Sequence, residues 1–178
     1  TYVTKYAHNS YISKNETLGA DQVWGVSDRT TLRCPGLAFK GGTTDRALVA
    51  KVPRLFEETD PISQTGYWHS AIVPFRADIL LLERAEAYTM LKKYDLACKD
   101  LTMWMQNWTK STKTLTPEDI KTYYNSIAYY TSTSPTSKKH LYPSWQIDAE
   151  GSVQESMLQC VLNFKRIETI HEGLRGFD

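Results

Sequence analysis

From Phe75 onward, apolar positions recur at intervals of three and four residues. Ala77, Leu81, Ala85, Tyr88 and Leu91 fall on one face of a helix predicted over 75–91. Lys92 and Lys93 interrupt the pattern. It resumes as Ala97, Leu101, Trp104, Met105 and Trp108, the face of a second helix over 95–109, with Asp95 as its candidate cap. So short a link makes the two helices antiparallel neighbours. A third helix over 117–129 has clear start signals: Thr116 suits the N-cap, Pro117 the first turn, and Glu118 and Asp119 complement the helix dipole. The Ser/Thr/Lys-rich stretch around Pro135 predicts a solvated loop over 130–139, and Tyr142, Pro143 and Trp145 an ordered loop over 140–151. The last helix, 153–173, opens on a Ser152-x-x-Glu155 capping box. Its apolar face is Val153, Met157, Val161, Phe164 and Ile167, and Gly173 suits its C-terminal turn.

Residues 1–74 lack this period. Asn9-Ser10, Gly41-Gly42 and Asp60-Pro61 punctuate an irregular stretch. It carries one weak hairpin signal: Leu37–Lys40, a turn over 41–44, then Arg46–Val52. The chain thus divides into a loop-rich segment, 1–74, and a helical scaffold, 75–178. The expected fold is mainly α, with antiparallel helix pairs, long loops and a small β-hairpin. The first pair is similar to a tetratricopeptide unit, with Ala85 on its first helix and Tyr94-x-x-Ala97 opening its second; small alanines let two helices approach closely.

Charge changes the picture little. Formal net charge is +1, from 21 basic and 20 acidic residues, which gives no electrostatic reason to expect nucleic acid as a partner. No apolar run approaches the ~20 residues of a membrane span, and the N-terminus does not read as a signal peptide. Cys34, Cys98 and Cys160 are too far apart in sequence for a CxxC or zinc pattern; Cys98 and Cys160 read as small buried hydrophobes. Aromatic content is the compositional lead: eleven Tyr, five Trp and five Phe, many of them off the periodic faces.

The order of motifs is more specific than any one of them. Leu81-Leu82-Glu83-Arg84-Ala85-Glu86-Ala87-Tyr88 leads to Tyr94-Asp95-Leu96-Ala97 and Asp100-Leu101. A Leu115-Thr116-Pro117 helix start follows, then Glu168-x-x-x-Glu172-Gly173-x-Arg175-x-x-Asp178. This series resembles the C-terminal part of the SusD/RagB family over roughly residues 46–178, with Lys51–Glu57 and Gly66-Tyr67-Trp68-His69 similar upstream. Thr102 departs from the family's usual Asn, and family chains are commonly much longer, with a lipidated N-terminal Cys. The resemblance implies that residues 1–178 are the C-terminal portion of such a protein, without its lipid anchor and N-terminal helical repeats. It further implies a surface-exposed lipoprotein of the cell outer membrane. Such a protein captures glycan, or peptide in some members, for import through a SusC-like TonB-dependent outer-membrane transporter. Its membrane attachment is the lipid anchor alone. A tetratricopeptide-like protein–protein interaction scaffold is the alternative.

Candidate chemistry points to binding, not to an enzyme. Glu168 and Glu172 share a helical face, but Arg166 and Arg175 beside them lower carboxyl pKa values, the opposite of what a glycosidase acid needs. These charges, with Arg84 and Glu86, read as a network tying the last helix to the first pair. His8, His69, His140 and His171 form no metal-binding pattern; no nucleophile elbow, phosphate loop or cofactor motif is present. Trp24, Tyr67 and Trp68, in irregular segments upstream of the helices, are the candidate ligand-stacking residues. Asp21, Gln22 and Arg29 near Trp24 are candidates for bonding sugar hydroxyls. Trp104 and Trp108 read as core; Tyr142 and Trp145 could serve either surface or core.

Overall fold

A computed structural model describes residues 8–9, 21–26, 33, 37–40, 46–49, 54–70 and 73–169. Within them the protein is mainly helical. Helices α1 (Ala77–Met90), α2 (Tyr94–Trp108), α3 (Pro117–Ser126) and α4 (Val153–Glu168) follow seven short strands. These are β1 (His8–Asn9), β2 (Asp21–Gln22), β3 (Gly25–Val26), β4 (Leu37–Lys40), β5 (Arg46–Val49), β6 (Arg54–Asp60) and β7 (Thr65–Ser70). They pair antiparallel in three small sheets: β1-β5-β4, β2-β3 and β6-β7. The expected hairpin is β4–β5, in the register Leu37↔Val49 to Lys40↔Arg46. The β6–β7 hairpin was not expected and corrects the reading of 54–70 as irregular.

Local chemistry fixes the helix ends. α1 ends with Lys92 in the left-handed region (φ 56°); Lys93 N–H donates to Tyr88 O (2.8 Å) and Lys92 N–H to Thr89 O (3.0 Å). That is the paired bonding of a Schellman turn, on a lysine where glycine is usual. α2 starts one residue before Asp95, with Lys93 at the cap and no side-chain capping bond; Asp95 therefore complements the first turn instead of capping it. α3 carries a complete box between Thr116 and Asp119. At α4 only half of the expected box forms. The Ser152 side chain accepts from Glu155 N–H (3.1 Å), but Ser152 N–H goes to Ala149 O and the Glu155 carboxylate accepts from Gly151 N–H. The described part of α4 ends at Glu168; Gly173, Glu172 and Arg175 lie outside the described residues.

The core is one cluster. Leu82 and Ala85 of α1, Ala97, Leu101, Trp104 and Met105 of α2, Ile120 and Tyr124 of α3, and Met157, Cys160, Val161, Phe164 and Ile167 of α4 are all buried. α1 packs on α2, and α4 packs chiefly on α1 and α3. α4 is therefore buried on more than its apolar face. Its polar residues Gln154, Glu155, Ser156, Gln159, Asn163, Lys165 and Glu168 are buried as well, so it runs through the middle of the molecule. The 127–152 connection folds back onto it: Gln159 Oε1 accepts from Lys139 N–H (3.2 Å), and Ser137 and Lys138 are buried. The expected solvated loop is thus exposed at 131–134 but buried at 137–138. No helix among the described residues is long and apolar enough to cross a membrane.

Candidate functional site

Two structures carry chemistry: an exposed aromatic hairpin, and a buried polar node at the start of α1. The hairpin is β6–β7. Thr59, Thr65, Phe56, Tyr67 and Trp68 favour strands. The intervening turn is held by Asp60, whose Oδ1 accepts from Ile62 N–H (2.9 Å) and whose Oδ2 accepts from the Ser63 hydroxyl (2.5 Å). Those bonds, Ser63 first, hold the Asp60 carboxyl below its usual range. Register pairs Leu55↔His69, Phe56↔Trp68, Glu57↔Tyr67 and Glu58↔Gly66. Successive residues alternate faces, so Leu55, Glu57, Tyr67 and His69 share one face and Phe56, Glu58, Gly66 and Trp68 the other.

Both faces stay open to solvent. Phe56 is 45% exposed, Tyr67 53% and Trp68 56%, far more than core aromatics allow. The Phe56 and Trp68 rings meet at 5.0 Å with a 55° tilt, and Tyr67 and His69 lie 6.3 Å apart. Gly66 makes room for this arrangement: a Cβ there would stand 2.2 Å from Glu57 O and 2.7 Å from the Phe56 ring.

The three candidate stacking residues do not share one environment. Tyr67 and Trp68 are adjacent on β7 and present opposite faces. Trp24 is half-buried; its ring sits 5.5 Å from Phe164 and 6.4 Å from Trp104. It anchors the β2–β3 turn in the core, where Gln22 accepts from Asn163 Nδ2 (2.8 Å). Gln22 is buried by this bonding, whereas Trp24 divides its ring between the core and solvent. The Asp21 side chain and Arg29 lie outside the described residues. Tyr142 and Trp145 are exposed, at 90% and 53%. Sequence reasoning missed Phe56, Glu57, Glu58 and Gly66. The available signal was Thr65–Ser70, a β-favouring run just after an Asp-Pro turn.

The node gathers around Arg76, at the start of α1. Glu168, 1% exposed, accepts from the Arg76 guanidinium, from Trp104 Nε1 (2.9 Å) and from Trp108 Nε1. Lys165 pairs with Glu83 (3.0 Å) and Glu86, while Arg84 grips Asp100 with both arms (2.8 and 2.7 Å). Arg76–Glu168 and the Lys165 pairs link α4 to α1, whereas Arg84 joins α1 to α2. Glu168 is thus buried among donors, with the Asp78 carboxyl, which shares Arg76 (2.6 Å), beside it.

Thiol and metal chemistry find no support among the described residues. Burial pushes the Cys98 thiol up to about 12 and raises the Cys160 thiol well above its usual value, leaving both as neutral core groups; Cys34 lies outside the described residues. No three His, Cys, Asp or Glu side chains among the described residues gather as a metal site. A groove of about 490 Å³ runs between α2 and the start of α3, walled by Cys98, Thr102, Met103, Leu115 and Pro117. No protein-family model, curated protein or solved structure matches this chain.

Proposed function

We propose that this chain is the C-terminal portion of a SusD/RagB-like lipoprotein of the outer-membrane surface. It captures oligosaccharide for a SusC-like TonB-dependent transporter and has no catalytic role. The observation that carries the reading is the β6–β7 hairpin, which holds Phe56, Tyr67 and Trp68 half-exposed on a fixed register. An aromatic ring covers the apolar C–H face of a sugar, and neighbouring polar groups select among its hydroxyls. Glu57, Glu58, His69 and the Tyr67 hydroxyl stand beside those rings. The ordered helix motifs downstream support the same family reading, with α1–α2 as a tetratricopeptide-like pair.

Calorimetric titration with neutral oligosaccharides (malto-, cello-, xylo- and chito-oligomers) tests this. Saturable binding is expected for at least one class, weakened about tenfold by Trp68→Ala. Failure of every class to bind would sink the reading. The α2–α3 groove favours the second reading, a protein-binding scaffold. If that were correct, Met103→Asp, and not Trp68→Ala, would abolish capture of the partner protein.

A further inference from the structure

Each face of the β6–β7 hairpin sets a carboxylate beside an aromatic ring. Glu57 stands opposite Tyr67. Glu58 stands opposite Gly66, one pair along from Phe56 and Trp68 on their face. The third acid of the strand, Asp60, is occupied by the turn. Glu57 and Glu58 are both exposed. Glu57 faces His69 at 3.7 Å, a group that is cationic only when protonated. The residue opposite Glu58 contributes no side chain to cover or neutralise it.

The face of an aromatic ring is electron-rich and attracts cations, and so does a carboxylate. An anionic ligand is repelled by both. A neutral sugar gains from stacking alone. We infer that this hairpin selects oligosaccharides bearing protonated amino groups over neutral and uronate-bearing ones. This charge selection rests on the glycan-binding reading above and sharpens it. Cation–ring attraction and an ion pair, both at an exposed site, together correspond to about a tenfold preference.

Three tetrasaccharides of the same length, built from glucosamine, N-acetylglucosamine and galacturonate, separate the possibilities. They are titrated calorimetrically into the 178-residue protein at pH 6 and low salt. Glucosamine should bind about tenfold more tightly than its acetylated counterpart, and galacturonate most weakly. The first gap should narrow with added salt and close in the Glu57→Gln/Glu58→Gln double variant, whose fold is checked by its melting curve. Equal affinity for the amine and acetylated forms overturns the charge selection and leaves glycan binding standing. So does a gap that survives the double variant. A double variant that binds neither sugar also overturns it, because the carboxylates would then hold the ligand instead of selecting its charge. No binding by any of the three tetrasaccharides overturns the charge selection, and the glycan reading falls with it only if the malto-, cello- and xylo-oligomers also fail to bind. Binding of tri-lysine where the glucosamine tetramer fails overturns the amino-sugar assignment in favour of a peptide.

Discussion

Gly66 shows how a single missing side chain can shape a surface. Its backbone lies so close to Glu57 O and the Phe56 ring that a methyl group cannot fit without movement. Gly66→Ala should displace the Phe56 ring and disturb the strand pairing beside it. The near-ultraviolet circular dichroism of the Phe56–Trp68 pair should then collapse. The helical core is remote from this change, so its melting temperature should stay within about 2 °C. An unaltered near-ultraviolet spectrum would mean that the ring pair does not depend on the glycine. Glu168 presents the opposite case, a residue defined by everything around it. Glutamine keeps one acceptor for the indole N–H groups but removes the charge facing Arg76. Breaking a buried ion pair from one side costs about 3–5 kcal/mol. Arg76 retains some solvent contact and a second partner, Asp78 (2.6 Å), which places Glu168→Gln at the low end, about 3 kcal/mol. A urea midpoint unchanged from wild type would show that the pair is incidental to stability.

Helix α3 was legible in the sequence because its start is written in adjacent residues. The Thr116 hydroxyl accepts from Asp119 N–H (3.1 Å) and donates to Asp119 Oδ2 (2.7 Å). That hydroxyl is the main reason the Asp119 carboxyl lies below its ordinary value of 3.8; nearby Lys113 adds to it. A carboxyl depressed in the folded state stabilises the fold above its unfolded value. The contribution disappears as pH falls through the lower, folded value. Thr116→Ala should cost about 1 kcal/mol at neutral pH. The deficit of Asp119→Asn should be present at pH 7 and shrink below about pH 4, as followed by urea melts along a pH series. A deficit that grew with acid would contradict the capping role. The β4–β5 hairpin was legible for a related reason, with glycines between two apolar runs. The β6–β7 hairpin was not. Period-two patterning arises when one sheet face is buried, and here both faces meet solvent. α4 was legible as a helix but not as the centre of the fold. Several of its buried polar side chains bond to residues far away in sequence, such as Gln159 to Lys139 and Lys165 to Glu83. Local spacing cannot reveal such partners. The packing of Trp24 on Phe164 and Trp104 is long-range in the same sense.

At the scale of the whole molecule, α4 is what the other helices assemble around. It contributes Met157, Cys160, Val161, Phe164 and Ile167, each with no exposed surface, and Phe164 stacks on Trp104 at 4.4 Å. Full burial of a large apolar side chain is worth ~1.5–3 kcal/mol, against a typical total stability of ~5–15 kcal/mol. Removing one such side chain should weaken the fold, and removing the helix should abolish it. Phe164→Ala should cost about 3–5 kcal/mol, since the stacked Trp104 and the half-buried Trp24 would then border a cavity. A chain ending at Gly151 would expose the inner faces of α1 and α3 together. It would also leave Arg76, Glu83 and Glu86 without the α4 groups that face them. Far-ultraviolet circular dichroism discriminates sharply here. If α4 is central, truncation removes the helical signal of α1, α2 and α3 along with the share supplied by α4's own 16 residues. If the remaining helices persist and still melt cooperatively, α4 is peripheral.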